Sequence, residues 1–214
     1  MNTRWISDII GQDYETWRPG KIVVISAQTG TGKTSFILNQ LLEFATKSKK
    51  KILYVCNRSA LVEQIQKSLD DLKIPYENNN KKKQMQCLQQ QSEPYIKIVS
   101  YQKSEFISIQ YEIKKFGASY CVFDEAHYFY QDAAFNSGTK KICSYLFTGN
   151  LDPIFSSCVN IFMSATDEYV YALLQKIYER DFTTIENYTL FINKAKKTWL
   201  KKDIVMKQDL IIVM

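Results

Sequence analysis

Short, unbroken apolar runs alternate along this chain with longer stretches in which apolar residues recur every three or four positions. The runs fall at residues 21–26, 51–56, 95–100, 119–123 and 160–164 and predict β-strands. They are continuous rather than alternating, which is the pattern of strands buried on both faces of a sheet. The intervening stretches predict helices over 33–46, 59–72 and 102–116. In the second of these, Leu61, Ile65, Leu69 and Leu72 form an apolar stripe. Strands alternating with helices predict an α/β fold with a mostly parallel sheet and helices on both faces. Beyond Thr166 the pattern predicts a helix over 168–180 and a strand over 183–192, then a lysine-rich stretch and an apolar end at 210–214. Residues 78–91 interrupt the pattern with asparagine, lysine and glutamine. Too few apolar groups lie there to pack, so a mobile surface insertion is expected. No internal repeat is present.

At 214 residues the chain has room for one sizeable α/β domain but not for two. The net charge of +6 makes a polyanionic partner plausible. Much of that charge sits in lysine clusters at 47–51, 81–83 and 194–202, and such clusters are more often solvated surface than binding site. Cys56, Cys87, Cys121, Cys143 and Cys158 are odd in number and contain no Cys-x-x-Cys pair. Neither a zinc site nor a disulfide framework is indicated, and a reducing, cytoplasmic setting is expected. The N-terminus lacks the apolar core of a signal peptide. No apolar run approaches the ~20 residues needed to span a membrane, so no membrane partner is expected.

The chemistry begins directly after the first predicted strand, with Ala27, Gln28, Thr29, Gly30, Thr31, Gly32, Lys33 and Thr34. A strand, a glycine-bearing turn and a helix start can wrap backbone N–H groups around a polyphosphate. Gly30 and Gly32 suit that turn and the close approach of phosphate oxygens. Lys33 is placed to reach the β- and γ-phosphates, and the Thr34 hydroxyl to join the Mg²⁺ shell. The pattern departs from the strict P-loop only at Ala27, where a glycine is usual.

A second signal closes the fourth predicted strand: Asp124-Glu125-Ala126-His127. Acidic residues at the carboxyl end of an apolar strand lie on the edge where open α/β sheets bind ligands. Asp124 is the candidate for organising Mg²⁺, and Glu125 for orienting and deprotonating the attacking water. The set Lys33, Asp124 and Glu125 is thus the predicted catalytic core, with ATP and Mg²⁺ as cofactors.

With the P-loop, Asp-Glu-Ala-His resembles the DEAH-box-like helicases and translocases of superfamily 2, in their N-terminal RecA-like lobe. Further positions match in order. Ser164-Ala165-Thr166 is similar to the Ser-Ala-Thr motif that couples hydrolysis to nucleic-acid binding, with His127 in the same coupling set. Asn57-Arg58-Ser59-Ala60-Leu61 is similar to motif Ia, which makes Arg58 a contact to the nucleic-acid backbone. Ser100-Tyr101-Gln102 resembles a Thr-Tyr-Gln-type motif, with Ser100 as a phosphate contact. The resemblance covers residues 20–166 and implies a RecA-like P-loop NTPase fold, ATP hydrolysis, and single-stranded DNA or RNA as partner.

It also implies a second RecA-like lobe, in cis or in trans. Only the residues up to Met214 follow Thr166, against the ~130 such a lobe needs. The expected organisation is a lead-in over 1–20, the RecA-like domain over 21–180, and an extension over 181–214 that begins a second lobe. Without that lobe's arginine finger, weak turnover or none is expected. Two alternatives stay open: a non-catalytic ATP- and nucleic-acid-binding fragment, and a P-loop ATPase of the RecA or replicative-helicase type, suggested by Trp17-Arg18-Pro19-Gly20-Lys21. Gln12, Tyr14 and Trp17 are the candidates for contacting adenine, with packing against the sheet the preferred use of the two aromatics. The same holds for Tyr128, Phe129, Tyr130 and Phe135, where packing is preferred over base stacking.

Overall fold

The computed structural model describes residues 5–56, 59–78, 93–100, 106–128, 157–165, 185–193 and 198–203. Its frame is a single sheet of eight strands: β1 (Ile22–Ala27), β2 (Lys51–Cys56), β3 (Tyr76–Asn78), β4 (Ile96–Ser100), β5 (Ala118–Phe123), β6 (Val159–Ser164), β7 (Ile185–Asn193) and β8 (Thr198–Asp203). Their order across the sheet is β3-β4-β2-β5-β6-β1-β7-β8. The first seven in that order run parallel, and β8 pairs antiparallel with β7. The chain has a RecA-like α/β fold.

The five strands expected from unbroken apolar runs form within one residue of their predicted ends. Their burial explains the pattern. Val23 and Ile25 of β1, Ile52 and Tyr54 of β2, and Ile161 and Met163 of β6 face one core. Their neighbours Ile22, Val24, Leu53, Val55 and Phe162 face a second core on the other side. Each strand therefore has no solvent face, and alternation disappears from the sequence.

Helices divide between the faces according to the direction in which the chain steps. From β1 to β2 and on to β3 it moves one way. Its connections α2 (Lys33–Ser35), a π-helical turn (Phe36–Leu41), α3 (Leu42–Lys47) and α4 (Ser59–Asp71) cover the first core through Phe36, Ile37, Leu41, Ile65 and Leu69. From β4 to β5 it steps back, and α5 (Phe106–Phe116) covers the second core through Ile109, Ile113 and Phe116. Right-handed crossovers require this reversal of face.

Three features were not anticipated. A short helix, α1 (Ile6–Ile10), inserts Ile6, Ile9 and Ile10 into the first core, so the described part of the lead-in is packed against the sheet. The three-residue strand β3 forms at the edge. Finally, β7 pairs in parallel along β1, from Ile22↔Ile185 to Ala27↔Leu190, and β8 extends the same sheet. β7 and β8, from the extension expected over 181–214, thus lie in the same sheet as β1. The expected helix at 168–180, the expected interruption at 78–91 apart from Asn78, which ends β3, and Arg58, Phe129, Tyr130, Phe135 and Thr166 lie outside the described residues.

Candidate nucleotide site

The strand order decides what can meet. β1, β6 and β5 are consecutive neighbours, so the residues just past their carboxyl ends share one edge of the sheet. After β1 the chain turns through Gly30 (φ 81°) and Gly32 (φ 86°) and enters α2 at Lys33. Gly32 is required twice over. Its backbone is left-handed, and a Cβ there would lie 2.9 Å from the Trp5 ring, closer than side chains pack. The turn is fastened by Thr31, whose Oγ1 donates to the Gln28 carbonyl at 2.6 Å. The Ile6 backbone N–H in turn donates to the Thr31 carbonyl at 3.0 Å. The lead-in thus buttresses the loop.

Lys33 folds back under this loop. Its Nζ donates to the Ala27 carbonyl at 2.5 Å and to the Gln28 carbonyl at 3.2 Å, and only 8% of the residue is exposed. Burial lowers its pKa below the ordinary lysine value, while the charges of Glu125 and Asp124 act in the opposite direction. The ammonium is therefore held by carbonyl dipoles near two acids, without an ion pair to either.

After β5 the backbone changes partner within three residues. The Asp124 N–H still donates to the Val55 carbonyl of β2 at 2.9 Å, whereas the Ala126 N–H donates to the Met163 carbonyl of β6 at 2.8 Å. Glu125 absorbs that switch with φ 51°, a conformation that costs a non-glycine residue about 1–3 kcal/mol. Asp124 is buried at 3% exposure. Its Oδ1 accepts the Glu125 backbone N–H at 2.9 Å, and its Oδ2 accepts the Tyr54 hydroxyl at 2.6 Å. Burial raises its pKa, against the pull of the Tyr54 bond.

Glu125 points toward His127, with Oε2 3.2 Å from Nδ1. The bond to His127 lowers the Glu125 pKa more than burial raises it, and Lys33 lowers it further. The same His127 Nδ1 lies 3.0 Å from the Ser164 Oγ at the end of β6. One imidazole nitrogen therefore touches both the acidic segment and the Ser-Ala-Thr segment.

The structure gathers Lys33, Thr34, Asp124, Glu125, His127 and Ser164 at this edge, with Ala165 immediately beyond. Ser100 ends β4 on the same edge of the sheet, two strands from β5, and is buried at 6% exposure. Gln12 is exposed. Trp17 is buried and meets Phe36 edge-on, and Tyr14 meets Trp17, Phe36 and Phe44 in the same way, so these aromatics pack. Tyr128 packs against the second core.

Two residues at the site escaped the sequence reading. Tyr54 lay inside an apolar strand. Its signal was a phenol in an otherwise aliphatic doubly buried run, because a buried hydroxyl needs a partner. Trp5 carried no signal, since nothing in the sequence sets it against Gly32.

Residues 3–169 match the family described as Type III restriction enzyme, res subunit. The chain belongs to this family. The res-subunit family is one of N-terminal RecA-like ATP-binding domains of superfamily 2 helicases. No curated protein matches the chain. The superfamily 2 resemblance and the α/β fold expected from the sequence are therefore both met, and the chain carries a helicase-like, ATP-binding motor domain.

Domains of this family generally use ATP and Mg²⁺. The residues present fit both. Gly30 leaves open space where a side chain would stand, a cation lies under the loop, and a hydroxyl and two carboxylates flank it. No cluster of three metal-ligating side chains occurs among the described residues. Among the described residues no helix is long and apolar enough to cross a membrane.

Proposed function

We propose that this chain is the ATP-hydrolysing first lobe of a DEAH-type superfamily 2 motor acting on single-stranded nucleic acid. The observation that carries the reading is the His127 contact, 3.2 Å from Glu125 and 3.0 Å from Ser164. It joins the hydrolytic acid to the segment that senses nucleic acid. In this reading residues 27–34 cradle the polyphosphate, and Lys33 leaves the Ala27 and Gln28 carbonyls for the β- and γ-phosphates. Thr34 and Asp124 hold Mg²⁺, which supplies neutralisation of phosphate charge when bound.

Glu125 accepts the proton of the attacking water as the β–γ bond breaks. Its lowered pKa keeps it ionised at neutral pH and so available as a base. Ser100 and Arg58 contact backbone phosphates, and binding of that kind is weak in sequence preference and sensitive to salt. A second RecA-like lobe, in cis or in trans, supplies the arginine that stabilises the transferring phosphoryl group.

The test is Glu125→Gln, which keeps shape and hydrogen bonding but removes the base. ATP binding should stay within about twofold of wild type, while whatever turnover the wild type shows with single-stranded DNA or RNA present is lost. Wild-type turnover in Glu125→Gln would remove Glu125 from that role.

A further inference from the structure

Asp124 is gripped from two sides, and only one grip belongs to its own segment. The Glu125 N–H takes Oδ1; the Tyr54 hydroxyl, from the neighbouring strand β2, takes Oδ2 at 2.6 Å. Tyr54 has no exposed surface, so its hydroxyl cannot exchange this bond for water. A buried phenol oxygen therefore touches the carboxylate assigned above to Mg²⁺.

The backbone explains why. β2 lies beside β5 with Tyr54 paired to Val122 and Val55 to Phe123. The Asp124 N–H extends that ladder to the Val55 carbonyl. Tyr54 faces the first core, on the side where α2 begins, and its length brings the hydroxyl up to the sheet edge. A Phe at this position would fill the core equally well, so the hydroxyl serves the edge and not the packing.

From this geometry we infer that Tyr54 is a positioning residue for Mg²⁺, fixing the orientation of the Asp124 carboxylate. The inference rests on the function proposed above. A carboxylate held through both oxygens cannot rotate about its last bond, and its remaining lone pairs point in fixed directions. Metal binding then needs little ordering of the side chain. Without the hydroxyl, Asp124 keeps its charge but loses its orientation.

Tyr54→Phe isolates the effect. Binding of a ribose-labelled fluorescent ATP analogue to the full chain would be measured in EDTA and across a Mg²⁺ titration. The metal-free affinity should stay within about twofold of wild type, and the Mg²⁺ midpoint should rise by roughly three- to tenfold, the range a typical single hydrogen bond covers. In an Asp124→Asn background the same change should leave the midpoint unmoved, because the group being oriented is gone. An unchanged midpoint in Tyr54→Phe, or an equal loss of affinity with and without Mg²⁺, would overturn the inference. Failure of the wild type to bind the analogue at all would instead overturn the nucleotide site itself.

Discussion

Two lysines in this domain are buried beside two glutamate or aspartate side chains each, and they behave in opposite ways. Lys97, near the start of β4, is 2% exposed. Its Nζ sits 2.6 Å from Glu77 of β3 and 2.6 Å from Glu112 of α5. Burial alone would lower its pKa, but the hydrogen bonds and charges of Glu112 and Glu77 outweigh it and the value rises. Lys33 also lies near two acids, Glu125 and Asp124, yet among the described residues its hydrogen bonds go to backbone carbonyls, and its pKa falls. One cation is matched within the fold. The other is held by weak dipoles and would gain by meeting a polyphosphate. Burial with partners is architecture; burial short of partners marks a site.

The largest expected consequence is at the matched lysine. Lys97→Ala leaves Glu77 and Glu112 facing a buried space without their cation, and breaking a buried ion cluster from one side costs about 3–5 kcal/mol. Denaturant unfolding should show that loss, with ATP affinity of the folded protein unchanged. Stability equal to wild type would mean the cluster is no more than a surface pair, and the comparison would fail.

A smaller effect follows from pH. A group whose folded pKa is raised adds stability that is complete below its unfolded value and disappears as pH climbs through the folded one. The gap in melting temperature between wild type and Lys97→Ala should therefore be constant around neutrality and narrow only above the ordinary lysine range. A gap already closing near neutral pH would contradict the raised value.

The smallest stability effect belongs to Lys33. A depressed lysine pKa means that folding disfavours its charged form, so Lys33→Ala should leave the melting temperature unchanged or slightly higher. A drop comparable with that of Lys97→Ala would erase the distinction between the two.

The same two residues show what a sequence can disclose. Lys33 was readable because its chemistry depends on near neighbours in the chain: Gly30, Gly32 and Thr34 surround it after an apolar strand. Asp124, Glu125 and His127 were readable for the same reason, and the mostly apolar runs located five strands because double burial leaves few polar positions in a strand. Lys97 sat unremarked within one such run. Its partners come from β3 and α5, and only the folded sheet brings Glu77 and Glu112 to it. Tyr54 was missed on similar grounds, since Asp124 reaches its hydroxyl from another strand's end. The pairing of β7 with β1 was equally out of reach, because strand order is set across the whole sheet.

The central claim is that the buried, carbonyl-bound Lys33 marks a site for Mg²⁺–ATP. Calorimetric titration of Mg²⁺–ATP into the wild type and Lys33→Ala, at matched melting temperatures, tests it most directly. The wild type should bind at one site, with affinity reduced at least ~100-fold in Lys33→Ala, a loss of about 2.7 kcal/mol or more. Equal affinity in the two proteins would contradict the claim.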